Sequence, residues 1–147
     1  MRIITNYILL TILLLYTSCT TNPEPLRPGK DVCFFCKMPI ADTRFGAEIV
    51  TSKGRINKYD DVNCMINWLN DAENNSVEVS RKLVSNFSNN SQLIDVEQAV
   101  FIVSDKIHSP MNSGIASFGN YDELKKTFPE VIEALTWNQL LALVNKK

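Results

Sequence analysis

The sulfur-bearing residues with the most informative spacing are Cys33, Cys36 and Met38, which form a Cys-x-x-Cys-x-Met motif. A Cys-x-x-Cys pair alone is typical of a disulfide, a redox couple or half of a zinc site. A structural zinc site takes four Cys or His ligands, and the sequence has no second paired motif to complete one. Because a thiolate and a thioether together select a soft ion, Met38 favours Cu(I) over hard cations. In an extended backbone the side chains of Cys36 and Met38 share a face, so both can contact one ion.

A second soft ligand, Met111, lies in the segment 107–114, between two predicted strands. Pro110 and Gly114 restrict the backbone there, and Met111 has polar neighbours and no apolar periodicity of its own. Met111 is therefore a candidate metal ligand, and the alternative is a loop methionine packed against the protein body. His108, the only histidine, is a candidate nitrogen donor or simply a surface residue.

Cys64 lies one position away from the apolar stripe of a predicted helix, with Trp68 one turn further on. This placement predicts a half-buried, inert thiol, so Cys64 is not included among the candidate ligands. Met65 lies within the stripe and is expected in the core. Trp68 and Trp137 are expected to serve as packing residues.

The elements that must position these residues are short strands and helices, which after residue 43 predict an α+β fold rather than a helical bundle. The predicted strands are 45–50, 55–59, 82–87 and 99–104, with a loop at 88–91. Asp60 or Asp61 is expected to cap a helix. The core face of that helix is Val62, Met65, Ile66 and Leu69.

The pattern repeats weakly at an offset of 59 residues. Apolar positions of 56–69 are matched in class by those of 115–128, and in both copies the end of a strand is followed by a helix. Residues 131–135 would repeat the third strand, and 137–144 predict a terminal helix. The expected fold class is thus α+β, with two similar ββαβ-like units packed together. A chance similarity of two amphipathic strand-helix units is the alternative.

The N-terminus has the features of an export signal. Arg2 supplies a positive charge, and the apolar stretch at 8–15 is too short to span a bilayer, which needs roughly 20 apolar residues. Small residues then lead into Cys19, which resembles a bacterial lipoprotein signal with cleavage before Cys19 and lipid on its sulfur. The alternative is a simple secretory signal in which Cys19 is incidental. Both interpretations predict an extracytoplasmic protein.

Three segments follow from these patterns. A signal peptide is predicted at 1–18, a lipidated cysteine with a flexible Pro-rich tether at 19–31, and a folded domain at 32–147. The halves of the domain are placed at about 44–90 and 98–147. The length allows one compact domain or two small units that share a core. The net charge of −1 gives no reason to expect a nucleic acid as partner.

Together these motifs resemble the NosL-type accessory proteins of nitrous-oxide reductase, which are copper-binding lipoproteins. The resemblance rests on three elements: the Cys33-x-x-Cys36-x-Met38 motif, the Lys-Tyr-Asp-Asp run at 58–61 that leads into a helix with Trp68, and Ser-Pro-Met at 109–111 followed by Gly-Ile-Ala-Ser-Phe at 114–118. They occur in the family's order over nearly the whole mature chain. Lys37 and Asn112 occupy places that are often Gly in the family.

The resemblance implies two ββαβ units, as also found in organomercurial lyase, and a non-enzymatic protein that delivers Cu(I). It implies that Cys36 and Met38 form one half of the site and that Met111 is their partner from the second half. His108 would be a candidate nitrogen donor, and Cys33 a second thiolate or a redox partner of Cys36. The expected partners are a copper-accepting enzyme, foremost nitrous-oxide reductase, or a membrane assembly protein, together with the membrane that holds the lipid.

Other functions remain open at this point. A thiol-disulfide oxidoreductase would use Cys33 and Cys36, although the Pro-rich approach does not provide the helix N-terminus that thioredoxin-like enzymes give to their first cysteine. An enzyme similar to organomercurial lyase is suggested only by the shared fold, and no assembled set of cysteines with an acid is evident. A structural lipoprotein with a disulfide is the remaining alternative.

Overall fold

The structure, a computed structural model, describes residues 21–146 apart from the side chains of Asn90 and Ser91. The predicted signal peptide and Cys19 lie outside the described residues. The first structural unit contains β1 (Ala47–Thr51), β2 (Ile56–Tyr59), α1 (Val62–Asn70), β3 (Val79–Asn86) and β4 (Asn89–Asp95). Its four strands form an antiparallel sheet in the order β2-β1-β3-β4.

The second unit contains β5 (Val100–Val103), β6 (Ile115–Phe118), α2 (Tyr121–Thr127) and α3 (Trp137–Val144). Strands β5 and β6 pair antiparallel, and an isolated bridge joins Phe101 of β5 to Leu135. In both units, therefore, a hairpin is followed by a helix, and the chain then returns to pair with the first strand of the hairpin. The expected α+β fold with two similar ββαβ-like units is confirmed.

The two units also share the register of their hairpins and the position of the residue that caps each helix. Ala47 pairs with Tyr59 in the first hairpin, and Val100 pairs with Phe118 in the second. Asp61 caps α1 with its side chain, and Asn120, at an offset of 59 residues, caps α2. The third strand differs between the units, because the second unit reduces it to the bridge at Leu135.

One strand differs from the sequence prediction. The segment 88–91 was expected to be a loop, but β4 begins at Asn89 and pairs with β3. The connecting turn is very short, and the Ser88 amide donates to the Asn86 side chain at 3.0 Å. The polar start of β4 carries little strand propensity, so its pairing with β3 decides its conformation.

The core follows the apolar stripes of the helices. Val62, Met65 and Ile66 of α1 are fully buried in the main core cluster together with Ala47 and Ile49 of β1. The expectations that Met65 lies in the core and that Trp68 and Trp137 pack inside the protein are confirmed. A second cluster surrounds Phe118 and lies under α2.

The end of the segment predicted as a tether contacts the domain. The Glu24 amide lies 3.3 Å from both carboxylate oxygens of Glu48 on β1, and Arg27 forms a salt bridge of 2.9 Å with Asp31. Lys58 of β2 pairs with Asp31 at 2.9 Å. Within the described part of the chain, no helix is long and apolar enough to cross a membrane.

Candidate metal centre

The two cysteines of the Cys-x-x-Cys motif lie in a tight loop. Val32 and Pro39 pair across its base, and the Cys33 amide donates to the Met38 carbonyl at 2.8 Å. The Lys37 amide donates to the Cys33 carbonyl at 3.0 Å. Lys37 itself has a left-handed backbone conformation, with φ of 63°. We call residues 33–38 the cysteine loop.

The cysteine loop is fixed to the junction between β2 and α1. The Phe34 amide donates to the Lys58 carbonyl at 2.7 Å. The Phe34 ring makes edge contacts with Tyr59 and Trp68, with centroid distances of 6.4 Å in both cases. These contacts hold the loop over the first turn of α1.

Cys64 comes from that first turn. Its amide donates to the carbonyl of the capping residue Asp61 at 2.9 Å, and Cys64 is fully buried. The sulfur atoms of Cys33, Cys36 and Cys64 all lie within 4.8 Å of one another. Over residues 21–146 this is the only group of three or more Cys, His, Asp or Glu ligand atoms close enough to hold one metal ion.

The three thiols differ in their readiness to ionise. Hydrogen bonding from the Cys64 thiol has the largest effect on Cys33 and, against the opposing effect of burial, lowers the pKa of Cys33 to about 5. The backbone amides of Asp60, Cys36 and Phe35 also favour the charged form of Cys33. Burial raises the pKa of Cys36, and hydrogen bonding to Cys33 raises the pKa of Cys64. Of the three cysteines, Cys33 is therefore the one whose thiolate form its surroundings favour.

The exposure of the group is graded from one side to the other. Cys33 and Cys64 are fully buried, Cys36 is partly exposed, and the Met38 side chain is 55% exposed. The cysteine loop thus presents the Met38 side chain at the protein surface, two residues after the partly exposed Cys36. The three cysteine sulfurs are soft donors that can bind a soft ion.

The segment 107–114, which we call the Met111 loop, is hydrogen-bonded to Asp61, the residue that caps α1. The Met111 amide donates to Asp61 Oδ2 at 3.1 Å, and Ser113 Oγ donates to Asp61 Oδ1 at 2.8 Å. Met111 also lines a cavity of about 320 Å³ together with Asn63 and Asn67 of α1. None of these contacts involves Met38, so a site shared by Met111 and Met38 stays a prediction.

His108 is exposed and lies in the same loop as Met111. It does not belong to the three-cysteine group, as judged over the described residues. Its role as a nitrogen donor likewise stays a prediction.

Cys64 is the member of the three-cysteine group that the sequence did not predict. A half-buried, inert thiol was expected, whereas the structure places Cys64 fully buried with its sulfur close to those of Cys33 and Cys36. The available signal was the Asp61 cap, because it places Cys64 in the first turn of α1, where side chains can reach a preceding loop. The apolar periodicity of the helix gives no information about such a contact.

Comparisons with known proteins agree with this fold. The family model described as NosL matches residues 27–129, which is more than half of the chain. The crystal structure of the copper chaperone NosL from Shewanella denitrificans has a similar fold, with a TM-score of 0.65 and 18% sequence identity. The alignment covers 82% of this chain and 96% of that chain. No curated protein matches the sequence significantly.

Proposed function

Because this chain belongs to the NosL family, we propose that it is a membrane-tethered copper chaperone that binds Cu(I) and passes it to an extracytoplasmic copper enzyme. Its role is to carry the ion rather than to catalyse a reaction. The solved structure with a similar fold is itself described as a copper chaperone.

The observation that carries this proposal is the approach of three cysteine sulfurs to within 4.8 Å of one another. Thiolates and thioethers are soft ligands and favour Cu(I) over hard cations. Cys33 supplies a thiolate already near neutral pH, since its pKa is lowered to about 5. Small shifts of side chains would let the three sulfurs contact a single ion.

The graded exposure suits a protein that must release its ion. The buried sulfurs of Cys33 and Cys64 provide affinity, and Cys36 with Met38 provides the side from which an acceptor can reach the ion. A thioether is a neutral, weak donor that needs no deprotonation, so it can exchange with an incoming ligand. Binding can then be tight while transfer remains fast.

We assign Cys33, Cys36 and Cys64 as the primary ligands and Met38 as the thioether at the mouth of the site. Met111 and His108 are further candidates from the second unit. Support for Met111 is its hydrogen bond to Asp61, the residue that caps the helix of Cys64.

The client and the location complete the proposal. Nitrous-oxide reductase is the first client to test, since the motifs resemble its accessory proteins. The lipoprotein-like sequence that ends at Cys19 supports a lipid anchor on the outer side of a bacterial membrane.

A second candidate is a thiol-disulfide oxidoreductase that uses Cys33 and Cys36. The observation in its favour is the difference in ionisation between the two cysteines, with the pKa of Cys33 lowered and the pKa of Cys36 raised. Its disadvantage is the complete burial of Cys33, which prevents direct attack on an external disulfide.

The decisive experiment is an anaerobic Cu(I) titration against a chromophoric competitor, with X-ray absorption to count sulfur neighbours. We expect one Cu(I) per protein with about three sulfur neighbours, and loss of that site in Cys36→Ser. Met38→Leu should weaken binding, whereas Met65→Leu is the matched control because Met65 lies in the core. Unchanged stoichiometry and affinity in Cys36→Ser would refute the copper site. Thiol-exchange activity that survives in Met38→Leu would favour the oxidoreductase.

A further inference from the structure

The described residues ahead of the cysteine loop, 21–31, form what we call the N-terminal arm. The Glu24 carboxylate pairs with Lys58 at 3.2 Å, and the Glu24 amide lies 3.3 Å from each carboxylate oxygen of Glu48. Asp31 is held by Arg27 and Lys58, each at 2.9 Å. Ala47 and Ile49 of β1 pack in the core with α1, and Glu48 between them points to the other face of the strand. The arm, which contacts Glu48, therefore lies on the face of the first sheet opposite α1.

The direction of the arm along the sheet follows from two glycines. Thr21 lies against the β1–β2 turn, where a Cβ on Gly54 would be 2.5 Å from Thr21 Oγ1. Leu26 lies against Gly46, just ahead of β1, and a Cβ on Gly46 would clash with the Leu26 side chain. The arm thus runs from the β1–β2 turn toward the opposite end of the hairpin.

The cysteine loop is attached at that opposite end. Phe34 hydrogen-bonds to Lys58, near the end of β2, whereas the turn precedes Ile56. A four-residue strand is about 13 Å long, so the turn and the three cysteine sulfurs lie near different ends of β2. The Phe34 side chain of the cysteine loop reaches back along the strand and lines one cavity with Lys53 and Arg55.

The lipid site is close in sequence to the start of the arm. Cys19 precedes Thr21 by two residues, and two residues span at most about 7 Å. A lipid on Cys19 would therefore emerge beside the β1–β2 turn, and the turn would lie near the membrane surface.

The turn carries charges that suit such a surface. Lys53 and Arg55 are exposed, and neither forms a salt bridge within 4.0 Å to any residue in the described part of the chain. Arg81 on β3 is exposed near the same end and pairs in register with Val50. The acidic residue Glu78 lies beside the turn: its carbonyl accepts from the Ser52 amide at 2.9 Å, and it lines one cavity with Lys53 and Arg55 without forming a salt bridge to either.

We propose that the β1–β2 turn, through Lys53 and Arg55, is a docking surface for anionic phospholipid headgroups, and that the docked arm points the metal centre away from the bilayer. This proposal rests on the lipid anchor of the proposed function. The arm then acts as a rigid spacer that directs Cys36 and Met38 toward a partner in the surrounding space. Each basic residue near an anionic membrane strengthens binding about five-fold.

The test uses the mature chain carrying its lipid, inserted in vesicles of phosphatidylcholine alone or with roughly one third phosphatidylglycerol. Amide hydrogen exchange read by mass spectrometry should show slower exchange at 51–56 in the anionic vesicles and unchanged exchange at 33–38. Mass spectrometry of the N-terminal peptide verifies the lipid on Cys19. Cu(I) binding measured on the same sample separates failure of this proposal from failure of the copper-binding function.

The variant Lys53→Glu with Arg55→Glu should lose the protection at 51–56. The matched control is Lys106→Glu with Lys126→Glu, which makes the same change in net charge at exposed residues elsewhere and should keep the protection. Protection at 33–38, protection that persists in the Lys53 and Arg55 variant, or an unmodified Cys19 would each overturn the proposal.

Discussion

The starts of α1 and α2 occupy equivalent places in the two units but serve different purposes. Asp61 and Asn120 cap these helices, and the third residue after each cap is Cys64 in the first unit and Glu123 in the second. One position therefore carries a thiol of the three-cysteine group in the first unit and a carboxylate in the second.

In the second unit, hydrogen bonds within the protein close the start of α2, and one of the donors is Asn86 of β3 in the first unit. Glu123 accepts a hydrogen bond from the Gly119 amide at 3.3 Å and from Asn86 Nδ2 at 2.8 Å. The Asn120 side chain accepts from the Glu123 amide at 2.9 Å. The donors at this junction are thus satisfied by side chains of the protein, as the orphan amides of a helix start require.

The first unit leaves the same junction open. The backbone amide of Asp60, equivalent to that of Gly119, favours the charged form of the Cys33 sulfur instead of meeting a carboxylate. Cys64 contributes its thiol to the same sulfur. The difference shows how the repeated scaffold accommodates the three-cysteine group. A thiol stands where the second unit has a carboxylate, and the cysteine loop brings the Cys33 sulfur to the Asp60 amide.

Among changes at the two helix starts, Cys64→Ser is expected to have the largest effect, which is a loss of Cu(I) affinity. This change removes one of three sulfurs and leaves a hard hydroxyl in its place, so the affinity for Cu(I) should fall by about 100-fold or more. Competition titration under anaerobic conditions measures this directly.

The matched control for Cys64→Ser is Glu123→Gln at the equivalent position in the second unit. It should leave the Cu(I) affinity unchanged. If Cys64→Ser binds Cu(I) as tightly as the unmodified protein, Cys64 is a packing residue and the contrast between the two helix starts has no functional meaning.

The next effect is a loss of stability in Glu123→Ala. Removing the carboxylate leaves the Gly119 amide without this acceptor. It also leaves the Nδ2 group of Asn86, a residue that is 1% exposed, with only its 3.3 Å contact to Gln92. We expect the free energy of unfolding to decrease by about 2 kcal/mol, measured by urea denaturation at constant pH. A change in Cu(I) affinity instead of stability would mean that the two helix starts are coupled rather than independent.

Much of the scaffold in this comparison could be predicted from the sequence. The 3.6-residue periodicity located α1, the 59-residue offset located the second hairpin and helix, and the terminal helix begins at Trp137 as expected. These features depend on local patterns, which a sequence shows directly.

Features that depend on tertiary contacts could not be predicted in this way. Strand β4 starts with polar residues and forms through its pairing with β3. Cys64 joins the metal centre because a loop some 30 residues earlier in the chain folds over its helix. The docking of the arm depends on charge pairs between Lys58, Glu24 and Asp31 that no periodicity signals.

The sheet faces that point away from α1 in the first unit and from α2 in the second offer another contrast. Glu48 of β1 and Phe101 of β5 occupy equivalent register positions. Phe101 packs on Trp137 of α3, with a centroid distance of 5.8 Å, whereas Glu48 is fully buried and meets the amide of Glu24 in the N-terminal arm. Burial raises the pKa of Glu48 to about 7.

We therefore expect Glu48→Gln to stabilise the protein by about 1 to 2 kcal/mol at pH 8. A carboxyl group whose folded pKa is raised binds more protons in the folded state, so the stability of the unmodified protein falls as the pH rises from about 4.5 to about 7. This gain in stability is smaller than the pKa shift of Glu48 alone would give, because one N–H of the introduced side-chain amide would lack an acceptor under the arm.

Urea denaturation at pH 5 and pH 8 measures the gain from Glu48→Gln, which should be small at pH 5 and should level off above pH 7. A gain that is the same at both pH values would show that Glu48 is not protonated on folding. Phe101 has no titratable group, so its own contribution to stability should not change over this pH range.

The smallest effect on stability is expected at two backbone positions, one in the cysteine loop and one in the Met111 loop. Lys37 in the cysteine loop has φ of 63°, and Asn112 in the Met111 loop has φ of 52°. Both are left-handed conformations, which disfavour Lys more than Asn because the short Asn side chain tolerates them. Lys37→Gly should therefore raise the free energy of unfolding by about 0.5 kcal/mol. This value already allows for two opposing effects: the larger entropy of Gly in the unfolded chain, and the loss of the contact between Lys37 Nζ and the Phe34 ring at 4.5 Å. Asn112→Gly should change it by less, and thermal melts of the two variants side by side measure the difference. If Lys37→Gly is the more destabilising of the two, the lysine contacts outweigh the backbone strain, and the cysteine loop depends on its side chains rather than on its turn geometry.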